Sequence, residues 1–185
     1  LSKDGSVRGE STWTARGVEE VSSRARQFGY KNRDKQEIVN EFLEQSQETG
    51  TGEFLNNDPS DFDTPWQIGS TFQLDSVVNM PGPTALTIPY GLVPSFWRRM
   101  AAYKPPQSRR FPSRCGSRAY SESITLTFPK DVAVTQIPRN VNSNHGAYHY
   151  AASYRLKGQD LQIQRFYAAK RETPLCPTND DKHFS

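Results

Sequence analysis

Between residues 118 and 170 the chain alternates. In "AYSESITLTF" the residues Tyr120, Ile124, Leu126 and Phe128 fall on one side of an extended backbone, and Ser121, Ser123, Thr125 and Thr127 fall on the other. A period of two marks a strand half in water and half in a core. "DVAVTQIP" predicts a second strand, and "AYHYAASYRL" a third, in which Tyr148, Tyr150, Ala152, Tyr154 and Leu156 share a side. "KGQD" turns the chain into "LQIQRFYAAK", where Leu161 and Ile163 begin an alternation that Phe166 breaks, the signature expected of a bulge. Four strands without a helical interlude predict an antiparallel, Ig-like β-sandwich over 113–185.

The first third repeats differently. After a strand predicted at 7–15, Val18, Val21, Ala25 and Phe28 recur at three- and four-residue steps before Gly29, which predicts a short amphipathic helix with its C-cap there. Asp34 with Glu37 three positions on reads as the capped start of a second helix, whose buried face is Ile38, Val39, Phe42 and Leu43. The connecting "GYKNR" predicts an antiparallel or sharply angled helix pair. Further strands are predicted near 52–56 and 66–78. The fold class expected is therefore α+β, with a small α+β subdomain over 1–80, a Pro-rich basic linker or crossover over 81–112, and the sandwich over 113–185. The middle segment carries seven prolines, from Pro81 to Pro112, which oppose long helices and central strands.

Composition sharpens this outline. The 185 residues are 34% hydrophobic with 3 Trp, 8 Tyr and 10 Phe, enough for a lean core rich in rings. No run reaches the roughly 18 apolar residues of a membrane span, and the first residues do not form a signal sequence. The opening "LSKDGSVRG" lacks Met and reads as the start of a fragment of something longer. The formal charge is only +3, yet Arg98, Arg99, Lys104, Arg109, Arg110, Arg114 and Arg118 stand together without an acid. A chain acidic outside one such block does not have the charge distribution of a nucleic-acid binder. Trp97, Arg98, Arg99, Tyr103, Arg109 and Arg110 form a candidate surface for an envelope glycan or protein, against the plainer reading of a solvated linker. The tyrosines 148, 150 and 154 fit a sugar platform or, more plainly, a core.

The two cysteines admit three chemistries. Cys115, His149 and Asp160 come in the chain order of a thiol triad, but Cys115 precedes a strand and its flanks carry no helical pattern whose N-terminus could activate the thiol. Metal binding lacks a close ligand pair, because Cys115, Cys176, His145, His149 and His183 are not spaced as a site. A disulfide uses the architecture: Cys115 precedes the first sandwich strand and Cys176 stands after the last, so neighbouring strand ends would bring them together and place the protein in an oxidising compartment. Two free thiols in a cytosolic protein remain the plain alternative. No cofactor motif is present.

The run "RCGSRAYSESITLTFPKDVAVTQIPRNV" and, after it, "YHYAASYRLKGQDLQIQRFYAAKRETPLCPTND", with Pro129 to Val132 as a turn and Tyr150 to Gly158 as a strand and turn, resemble the C-terminal region of exported bacterial transglutaminase-like proteins. "DGSVRGESTWTARGVEEVSSRAR" resembles the stretch immediately C-terminal to the papain-like core in that family. The resemblance implies a non-catalytic C-terminal accessory module, periplasmic or secreted, whose first partner is the upstream core of the same polypeptide. The family's catalytic residues belong to that core, so none is carried onto this chain, and Cys115 does not fall on the catalytic position. Similar tails often carry cysteines at both places seen here. A stand-alone thiol hydrolase and an envelope carbohydrate-binding module are the alternatives.

Overall fold

The computed structural model describes residues 4–75, 82–89, 92 and 110–176. In chain order the elements are β1 (Val7–Gly17), α1 (Val18–Tyr30), α2 (Lys35–Ser46), β2 (Gly50–Asn56), β3 (Gln67–Leu74), β4 (Ser113–Arg114), β5 (Arg118–Thr127), β6 (Val141–His145), β7 (Tyr148–Lys157), β8 (Asp160–Ala169) and β9 (Leu175–Cys176). Seven strands form one antiparallel sheet in the order β2-β3-β1-β5-β8-β7-β6, and β4 pairs with β9 as a short ribbon. Because β1 pairs with β3 on one side and β5 on the other, strands from before residue 81 and after residue 112 share that sheet. A second sheet facing it, as a sandwich requires, is not present among the described residues.

Alternation decides the faces. Val7, Trp13 and Ala15 of β1, Ile68, Phe72 and Leu74 of β3, Tyr120, Ile124 and Leu126 of β5, and Leu161, Ile163, Tyr167 and Ala169 of β8 are buried on one face. They form two apolar clusters, one around Val7, Leu126 and Ile163 and covered by Val39 and Leu43 of α2, the other around Trp13, Tyr120 and Tyr167. A polar seam separates them: Ser11 and Ser70 share a hydrogen bond of 2.7 Å, and Arg165 is ion-paired with Glu122 at 2.7 Å. Both carboxylate and guanidinium sit in phase with the apolar residues of their strands.

α2 matches expectation. Asp34 accepts hydrogen bonds from the backbone of Gln36 and Glu37, and Ile38, Val39 and Leu43 are buried. α1 does not. Its buried residues are Ser23 and Arg24, while Val18, Val21 and Phe28 are 53%, 69% and 48% exposed. The apolar stripe is displaced from the sheet because Arg24 occupies the inward position. Gly29 lies within the last helical turn, not at the cap, which is Lys31. Each helix packs chiefly on its own strand, α1 on β1 and α2 on β2, so the antiparallel helix pair is not seen.

Two strand expectations are corrected. "DVAVTQIP" forms no ladder among the described residues: Val132 closes a turn onto Pro129, and Val132, Val134 and Ile137 reach the core from an extended segment bracketed by prolines. The strand at this place is β6, whose five residues are all exposed and so carry no alternation to read. In β8 the register with β5 and β7 is one-to-one throughout. There is no bulge at Phe166, which stands on the outer face of the sheet.

Candidate functional site

Cys115 and Cys176 stand at disulfide-bonding distance with their Cα atoms 5.6 Å apart, beside the β4–β9 ribbon in which Ser113 pairs with Cys176. Cys115 N–H also donates to Pro174 O. The thiol of the candidate triad is thereby engaged. The other two members are elsewhere: His149 lies opposite Ala168 at one end of the β7–β8 hairpin, and Asp160 lies opposite Lys157 at the other, roughly 25 Å apart along the strands. His149 Nε2 is 3.0 Å from Asn142 Oδ1, and Asp160 accepts from the Thr127 hydroxyl at 2.8 Å. Nothing brings Cys115, His149 and Asp160 together. Among the described residues no group of His, Cys, Asp and Glu is arranged to hold a metal, and no helix is long and apolar enough to cross a membrane.

Of the candidate surface residues, Trp97, Arg98, Arg99, Tyr103 and Arg109 lie outside the described residues, as does His183. Arg110 is exposed, with its guanidinium 5.5 Å from the ring of Phe111.

A dense polar constellation around Arg24 is one the sequence did not announce. Arg24, 3% exposed, donates from Nη1 to the carbonyls of Pro59 and Asp61, from Nη2 to the carbonyl of Thr64, and from Nε and Nη2 to Glu20 Oε1. Its guanidinium also lies 5.2 Å from the rings of both Phe62 and Trp66. The fully buried Trp66 donates its indole N–H to Ser23 Oγ at 2.7 Å. Two residues of α1 thus fasten the loop 57–66. Within that loop the Ser60 hydroxyl holds the Asp58 carboxyl below its ordinary range, and the Thr64 hydroxyl does the same for Asp61. Both carboxylates turn inward on their own loop, which makes them caps and not ligands.

The outer face of the sheet carries a groove of about 560 Å³ whose floor includes Thr12, Thr14, Ser121, Ser123, Gln164 and Phe166. A larger apolar groove lies between residues 82–88 and 131–138, and a third opening separates α1 from α2.

Comparison with protein-family models, with curated proteins and with solved structures finds no match for this chain.

Proposed function

We propose that this chain is a non-catalytic accessory module of a periplasmic or secreted transglutaminase-like protein, and that it packs against and orients the catalytic core preceding it in the same polypeptide. The observation that carries the reading is the outward apolar stripe of α1. Val18, Val21 and Phe28 expose about half or more of their surface on a helix whose inward position is taken by an arginine. An amphipathic helix set in this way presents its apolar side to something outside the fold. In chain order α1 is the first helix and follows β1 directly. The pairing of Cys115 with Cys176 supports the same reading twice over: it suits an oxidising compartment, and it occupies the one thiol that had a candidate partner set.

Amide exchange of the isolated chain and of the full-length protein tests this. Protection of α1 residues 18–28 should rise when the core is attached, and Val21→Asp with Phe28→Asp should abolish the rise while leaving the isolated chain as stable as before. Equal exchange of α1 in both proteins refutes the reading.

A further inference from the structure

We propose that the outer face of the sheet is a binding groove for an uncharged carbohydrate chain. Two cross-strand rows build its floor. Thr14, Ser121 and Phe166 stand side by side on β1, β5 and β8, and one step along the strands Thr12, Ser123 and Gln164 repeat the arrangement. Strand spacing of about 4.8 Å sets these side chains at regular intervals. Asn140 to Asn142 rise at one edge of the groove.

The chemistry of the floor is selective. Every outward side chain in the two rows is a hydroxyl, an amide or a ring, and the two charged residues that also line the groove, Glu122 and Arg165, pair with each other on the inner side of the sheet, so the floor offers donors and acceptors without charge. Charged residues of the same face flank the rows, with Arg8, Glu10 and Arg16 on β1, Glu53 on the edge strand β2, and Arg155, Lys157 and Asp160 at the β7–β8 turn. A face built for an anion or cation carries the opposite charge at its centre.

Phe166 is the second observation. Its ring stands on the polar side of a strand whose other outward positions are Asp160, Gln162, Gln164 and Ala168, and no bulge forces it there. Its ring is braced edge-on by His149, with centroids 5.4 Å apart, and His149 is fixed in turn by Asn142. A braced apolar ring amid hydroxyls and amides matches a sugar, which pairs an apolar C–H face with a rim of hydroxyls.

Shift mapping of backbone amides on titration with maltohexaose, cellohexaose and chitohexaose, with hexagalacturonate as the charged control, tests the proposal. At least one neutral hexasaccharide should move the amides of Thr14, Ser121 and Phe166 and leave those of α2 in place. Ser123→Arg, at an exposed position that does not touch the core, should weaken binding about tenfold or more. Phe166→Ala should weaken it about tenfold, and Phe166→Trp should retain it. No response to any neutral sugar, a response mapping outside β1, β5 and β8, or full affinity in Ser123→Arg overturns the proposal. A preference for the charged control overturns it as well.

Discussion

Arg24→Met tests the most exacting piece of the structure. Methionine keeps most of the aliphatic volume and removes the charge together with its bonds to three loop carbonyls and Glu20. Loss of one member of a buried charge pair costs about 3–5 kcal/mol, and each bond from a charged donor contributes about 1.5–3 kcal/mol. The carbonyls belong to a surface loop that can turn to water, and Glu20 is 26% exposed. The lower end applies, so the expected loss is about 3 kcal/mol. Against a total stability of roughly 5–15 kcal/mol this moves the urea midpoint well outside error. The effect should also be local: amides of 57–66 should lose protection before those of β5 and β8. Arg24→Lys keeps a charge but not the planar fork, so it should recover less than half of the loss. A change below about 1 kcal/mol in Arg24→Met, with loop protection intact, refutes the reasoning.

Cys115→Ser opens a loop between residues 61 positions apart and should cost about 4 kcal/mol in the chain-entropy treatment, read from denaturation with and without reductant; a loss under about 1 kcal/mol contradicts the clasp. Asp58 and Asp61 carboxyls are lowered on folding by the Ser60 and Thr64 hydroxyls. Their contribution is present above the unfolded value of about 4 and disappears as pH falls through the folded values. The loop should therefore loosen in acid before the sheet does, and Asp61→Asn should flatten that response in an amide-exchange titration. Leu43→Ala should cost about 2–5 kcal/mol and Val21→Ser within about 0.5 kcal/mol of nothing, although periodicity alone gives the two residues the same standing.

The contrast between Leu43 and Val21 marks the limit of local pattern. Period-two alternation located β5, β7 and the start of β8 because each has one face in water, and Asp34 announced α2 because its cap is local chemistry. Val18, Val21, Ala25 and Phe28 announced a helix but misplaced its inner side, since what turned α1 was a long-range bond set from Arg24 to residues 59–64 that no local period records. Glu122 and Arg165 were passed over for the opposite reason: each breaks an apolar phase alone and makes sense only once β5 and β8 are set side by side in register. β6 has no phase and a single apolar residue, Val141, and its pairing with β7 makes it a strand. The cysteines could be joined by reasoning about strand ends, whereas the groove around Phe166 needs several strands in register before it exists.

The place of β1 inside the sheet, not at its edge, has a kinetic consequence. A strand made early by the ribosome pairs with one made much later, so that Gly9 waits for Leu126. The centre of the sheet cannot close until β5 and β8 have emerged, and such distant pairing is slow.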